Sequence, residues 1–249
     1  GPRLYAAEDH TAVSVNIKEG EQLAAVLLPG ANLAPDSSLS VEFSPSAEEF
    51  SLLLESDYMA LDDTVISRLR VEGSGVGDNI TIEAECDELL AMGSAIPDIT
   101  LNLGARSGNE IDATLFFSNA DAALSGRLAA EATLSRKADN SVRVVAKIED
   151  SYLVSPSERW DISAPKIDYS KQGLQIHDFS ATTQSGGLYI DGNISSSDDP
   201  VSVTLKDVAL GEWLSLLGNI EGVEGVVNGS AQLYAALGRP YGNLSLDLS

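Results

Sequence analysis

Apolar residues recur at every second position along much of this 249-residue chain, and no other pattern in it is as regular. Val13, Val15 and Ile17; Leu101 and Leu103; Ile111, Ala113, Leu115 and Phe117; Leu188 and Ile190; Val201, Val203 and Leu205; and Leu244, Leu246 and Leu248 all keep this rhythm. Successive side chains of a strand point to opposite faces, so the alternation specifies strands with one apolar and one wet face. Turn-forming clusters separate the runs: Pro29-Gly30, the glycine-rich stretch Gly73–Asn79, Arg106–Glu110, Asp139–Ser141, Ser185–Gly187 and Ser195–Pro200. The spacing predicts an antiparallel meander. One stretch departs from period 2: Leu210, Trp213, Leu214 and Leu217 form a stripe that predicts a short amphipathic helix near 210–217. Asp87–Met92 permits another helical turn.

Charge narrows the function classes. Acidic residues outnumber basic ones by 38 to 15, a formal charge of -23. Such a chain neutralises no phosphate backbone, so nucleic acid is excluded as a partner, and an anionic bilayer surface would repel it. At 43% hydrophobic residues it is nevertheless too apolar for an acidic disordered tail. Cys86 is the lone cysteine and excludes an intrachain disulfide; His10 and His177 are too few and too far apart for a zinc site. No cofactor is expected. Gly1-Pro2 matches the scar of tag removal, and the chain stops inside the alternating run 243–249, so it reads as a piece of a longer protein. A soft joint at Ser155–Glu158 splits it into a β-rich module over 3–159 and a second module over 160–249.

Aromatic residues make up only 6% of the chain, and Leu, Ile, Val and Ala fill the apolar positions. A β-sandwich core usually carries large aromatic anchors. The aliphatic palette permits two outcomes, a closed core or a sheet curled around an unfilled apolar groove.

The last 90 or so residues carry an ordered set of features: Trp160–Ile167, Leu174–Phe179, Gly187–Gly192, Val201–Leu210, the short helix, and then Val223–Gly238 and Pro240–Leu246. Within them, Gly225 and Gly229 are followed by Leu233, Leu237, Gly238, Pro240 and Gly242. In this order the region resembles the TamB family of envelope proteins in the AsmA-like group. Residues 3–159 share only the general β pattern. The resemblance implies an all-β fold, an elongated, curled antiparallel sheet forming a taco-like trough with an aliphatic lining. It also implies a periplasmic segment of a bacterial cell-envelope protein, anchored in the inner membrane in its full-length form. The implied role is non-enzymatic: the groove carries phospholipid acyl chains between inner and outer membrane and supports outer-membrane assembly, with a BamA-like outer-membrane barrel of the TamA type as partner. By alternation the wall positions are Leu174, Ile176, Leu188, Ile190, Val201, Val203, Leu205, Val227, Leu233, Leu244 and Leu246.

Two other classes stay open at this level, a structural or adhesive β-sandwich module of a secreted or surface protein and a carbohydrate-active enzyme. The chemical motifs favour neither strongly. Gly73–Gly77 precedes a strand, not the helix N-terminus that a phosphate loop requires, and is expected to be a turn. Asp62-Asp63, Asp198-Asp199 and Glu48-Glu49 lack the alternating acidic loop of a calcium site and are expected in solvated turns. His177 has no nucleophile elbow to serve and is expected at a surface or turn position. Cys86 lies among Glu83, Glu85, Asp87 and Glu88, whose charges should raise its thiol pKa and make it inert.

Overall fold

The computed structural model describes residues 11–16, 30–45, 47–91, 94–107, 109–118, 124–155, 158–195, 199–209, 225–234 and 241–248. These residues are all-β, with sixteen strands in one open antiparallel sheet. The hydrogen-bonded order follows the sequence throughout, except that the short strand β2 (Ala31–Leu33) leaves the path and pairs with β4. The meander expected from the turn signals is therefore the observed topology, and no ladder joins the first strand to the last. The 210–217 helix lies outside the described residues. The helical turn permitted at 87–92 is overturned, because residues up to Ala91 continue a 13-residue strand in register with the next.

The chain divides into two compact units, Gly1–Gly108 with Leu115–Asn119, and Asn109–Thr114 with Ala120–Ser249. The division falls within β8 (Glu110–Ser118). The Ser155–Glu158 joint lies inside the second unit, where the Ser155 N–H donates to the Glu158 carbonyl at 2.8 Å.

In the first unit β1 (Thr11–Asn16), β3 (Ser38–Ser44), β4 (Glu49–Leu61), β5 (Thr64–Val76), β6 (Asn79–Ala91) and β7 (Ser94–Arg106) pair in turn. Directly opposed residues of antiparallel strands share a face, and the register builds apolar rows across the unit. One row runs Leu39–Leu54–Val71–Ala84–Leu101, and the next runs Val41–Leu52–Gly73–Ile82–Leu103. Gly73 and Gly75 thus belong to β5 and its apolar face, which corrects the expectation of a turn; the turn begins at Gly77, whose φ is +57°. The Phe50 ring lies over Gly75, and a Cβ there would sit 2.3 Å from a ring carbon, so glycine is what lets Phe50 lie flat on the sheet.

The second unit contains β9 (Ser125–Arg136), β10 (Val142–Val154), β11 (Arg159–Ser170), β12 (Gly173–Thr182), β13 (Gly187–Ser195), β14 (Val201–Ala209), β15 (Val226–Tyr234) and β16 (Tyr241–Leu248). Register shifts mark bulges between Ile148 and Ser151, Ile176 and Phe179, and Leu205 and Val208. Each contains one aspartate in the left-handed region, Asp150, Asp178 and Asp207, at φ of 49°, 50° and 47°. Aspartate tolerates this region better than most residues. Each bulge inserts one extra residue on the polar side, which lengthens that surface and bends the strand towards its apolar side. The neighbouring strand holds two of these corners: the Asp178 N–H donates to Asp191 Oδ2 at 3.1 Å, and the Asp207 N–H donates to Asn228 Oδ1 at 2.9 Å. Asn228 Nδ2 donates back to Asp207 Oδ1 at 3.1 Å. Asp207→Gly should therefore leave the second unit's urea midpoint nearly unchanged, whereas Asp207→Val should cost about 1–2 kcal/mol, the left-handed penalty of a β-branched residue. Equal midpoints for the two variants would refute this role of the corner.

Candidate functional site

In the second unit the register sorts side chains by polarity with few exceptions. From Leu134 and Val144 on one side to Leu244 and Leu246 on the other, the paired rows on the apolar face of β9–β16 bear one charged side chain, Arg136, opposite Val142 at the end of β9. Carboxylates, lysines and arginines project from the opposite face. There Arg143 grips Asp168 through two bonds, Nε to Oδ1 at 2.8 Å and Nη2 to Oδ2. This grip holds the Asp168 carboxyl below the usual carboxylate range, so it stays ionised under mildly acidic conditions.

All eleven wall positions named from alternation fall on the apolar face. Leu188 and Leu205 pair directly, and Leu205 continues to Gly229 and Leu246. One step along the strands, Ile190 pairs with Val203, which pairs with Ala231 and so with Leu244. Ile176 opposes Gly192, which leads through Val201 to Leu233, and Leu174 opposes Ile194. Val227 opposes Val208 on the far side of the β14 bulge.

Their environments differ. Val201 and Val227 are buried, at 3% and 5% exposure. Leu174, Ile176, Leu188, Ile190, Val203 and Leu205 are half-buried. Leu233, Leu244 and Leu246 are exposed, Leu244 at 69%. The described strands join in one hydrogen-bonded path whose first and last members are not paired, so this is a single open sheet and not two separate ones.

The exception to openness is a cluster that sequence reasoning missed. Trp160, Ala181 and Val208 are buried together, and Leu153, Ile162, Phe179, Leu188 and Leu205 pack against them. Phe179 escaped notice because the Asp178 bulge shifts the alternation by one, and Ile162 because Pro165 interrupts its run. The signal available for Trp160 was its identity as one of only two tryptophans in the chain.

The chemical motifs resolve as follows. His177 sits in β12 opposite Lys166 on the charged face, half-buried, with Nε2 lacking a hydrogen-bond partner among the described residues; it lies in a strand and not in a turn. The Cys86 thiol pKa is raised as expected, but the cause is burial, not the flanking carboxylates. Asp62 and Asp63 form the turn between β4 and β5. Asp198 lies outside the described residues. A shallow cavity of about 580 Å³ opens on the polar side of the first unit, with Ser40, Glu42, Ser51, Glu72, Ser74 and Glu83 in its lining. Glu72 in that lining is engaged by Arg70. Among the described residues no three ligating side chains gather as a metal site would require, and no helix is long and apolar enough to cross a membrane.

No protein-family model, curated protein or solved structure matches the chain.

Proposed function

We propose that the chain is a non-enzymatic lipid-carrying segment in the manner of the TamB and other AsmA-like envelope proteins. In this reading its aliphatic face shelters phospholipid acyl chains on their way between the two membranes of a bacterial envelope. The observation that carries it is the nearly continuous aliphatic face of β9–β16 in an open sheet, with Arg136 as the one charged side chain of its paired rows. Soluble monomers seldom leave contiguous apolar patches beyond a few hundred Å² exposed without a partner that covers them. The partner that suits this face is hydrocarbon. Leu, Ile and Val offer no directional bonds, so an acyl chain slides along them without meeting a deep trap. Exposing a 16-carbon chain to water costs about 12 kcal/mol at roughly 0.8 kcal/mol per methylene, and a continuous aliphatic wall removes most of that cost. The acidic opposite face keeps such a molecule soluble.

Periplasmic location, an inner-membrane anchor and a BamA-like barrel partner belong to the same proposal and rest on the family resemblance. The adhesive β-sandwich module is less favoured because a sandwich is built from two separate sheets, and the described strands join in one. The direct test is organic extraction of the purified protein followed by mass spectrometry. Phospholipid should appear at a molar ratio near or above one. Protein purified from envelope-bearing cells with no extractable lipid would overturn the proposal.

A further inference from the structure

In the second unit most of the described cations are matched by the protein itself. Arg143 and Lys166 meet Asp168, Lys147 meets Glu131 and Glu149, and Arg159 meets Asp161. Arg127 donates to the Asp150 carbonyl, Lys206 lies over the Tyr189 ring, and Lys137 is near enough to Asp139 to act on its charge. Arg136 and Lys171 are left over. Both are exposed, and neither has an ion pair or side-chain hydrogen bond among the described residues. With 38 acidic residues against 15 basic ones, two unmatched cations do not reflect a shortage of carboxylates.

The two stand at the same end of the apolar face. Arg136 ends β9 opposite Val142, and Lys171 begins the two-residue turn that the Ser170–Gly173 pair closes between β11 and β12. Val144 opposes Tyr169, so one same-face step further the β10–β11 register sets Lys171 beside Val142. Arg136 and Lys171 therefore flank Val142 from β9 and β11, two strand spacings or about 10 Å apart at the backbone, a gap that two long side chains close from both sides.

Polarity is graded along the strands towards this end. The row Ala146–Ile167–Ile176 is aliphatic, and the next row, Leu134–Val144–Tyr169–Leu174–Ile194, adds one phenol. Tyr169 is 54% exposed, and Val142 beyond it 45%. The cations follow. Hydrocarbon, an amphipathic ring and then positive charge is the order that meets a phospholipid from its acyl chains to its phosphate, and tyrosine suits the boundary because its ring is apolar and its hydroxyl polar. A guanidinium fork pairs with phosphate oxygens through two bonds, and an ammonium adds a point charge.

We infer that Arg136 and Lys171 form a headgroup site at the rim of the apolar face, which takes the phosphate of a bound phospholipid. This rests on the acyl-chain reading and deepens it by fixing the lipid's orientation, with the phosphate at the β9–β10 and β11–β12 turns and the hydrocarbon over the aliphatic rows. The site sorts phospholipid from lipids that carry the same chains without phosphate. Exposed ion pairs are individually weak, so the contact orients a lipid without holding it fast.

The test offers the full chain vesicles of dioleoylphosphatidylcholine with a minor fraction of dioleoylglycerol, which has the same acyl chains and no phosphate. Protein is separated from the vesicles and its bound lipids are quantified by mass spectrometry. Relative to the vesicle composition, the parent protein should prefer the phospholipid by about fivefold or more. In the Arg136→Gln, Lys171→Gln double variant the preference should fall towards one while bound dioleoylglycerol stays unchanged. A preference that survives in the double variant, or none in the parent, would overturn the headgroup site and leave the acyl-chain reading in place. Binding of neither lipid would overturn that reading and the site with it. Loss of the parent's preference in millimolar inorganic phosphate would mark a site for free anions and overturn its assignment to lipid.

Discussion

Val203→Asp should strip bound phospholipid from the protein while leaving its strands intact. Val203 is half-buried on the apolar face of β14, between Ile190 and Ala231. In the empty protein an aspartate there still reaches water, so the unfolding midpoint should fall only modestly, by about 1 kcal/mol or less, as at other sites that are not tightly packed. Against an acyl chain the same carboxylate is desolvated without a partner, at a cost of several kcal/mol. Since about 1.4 kcal/mol is a factor of ten, lipid recovered after extraction should drop by at least tenfold. Val203→Ala, which keeps the face apolar, should retain most of it. Circular dichroism and quantitative lipid mass spectrometry on the three proteins distinguish the outcomes. If Val203→Asp unfolded the protein, the face would be shut by the polypeptide itself; if lipid were unchanged, cargo would lie elsewhere.

Trp160→Ala carries the largest expected loss of stability. The indole is almost fully buried against Ala181 and Val208, with five half-buried side chains packed around it. Removing a buried aromatic leaves a cavity that surrounding atoms only partly collapse into, typically at about 3–5 kcal/mol. In an open sheet with few fully buried hydrophobic residues, that loss is a large share of what stabilises the second unit. Urea unfolding followed by circular dichroism should show a lowered midpoint, with Trp160→Phe intermediate. A change below about 1 kcal/mol would mean that the cluster is not the packing centre of this unit.

The difference between these two residues shows what a sequence of this kind discloses. Alternation within a strand fixes which residues share a face, and short turns fix the parity between neighbours. The relation of Leu188 to Leu205, or of Val203 to Leu244, therefore follows from period 2 and the turn signals alone. The bulges do not. Asp150, Asp178 and Asp207 look like ordinary polar residues of a wet face, and their left-handed backbone comes from tertiary bending that no local pattern announces. Because each bulge advances the alternation by one, Phe179 and Val208 fall out of phase with the runs before them and were not placed on the wall.

The same limit explains the glycines and the thiol. Gly73 and Gly75 carry the composition of a turn, yet they lie within a long strand because the Phe50 ring needs the space they leave. Cys86 sits among acidic neighbours in sequence, but alternation sends its side chain to the apolar face, where burial governs its pKa. Low aromatic content permitted a closed core as well as an unfilled aliphatic face. It gave no hint that the tryptophan of β11 would gather side chains from five strands into one buried cluster.

The bulges also separate length from bend. In the second unit each bulge sits on every other strand, so one hairpin brings its own corner and returns the chain in the same direction. Excising β12 and β13 together would bring β11 beside β14 with antiparallel sense preserved, while the corners at Asp150 and Asp207 remained. A sheet organised this way can be shortened or extended by whole hairpins without retuning its cross-section, much as a gutter is cut to length.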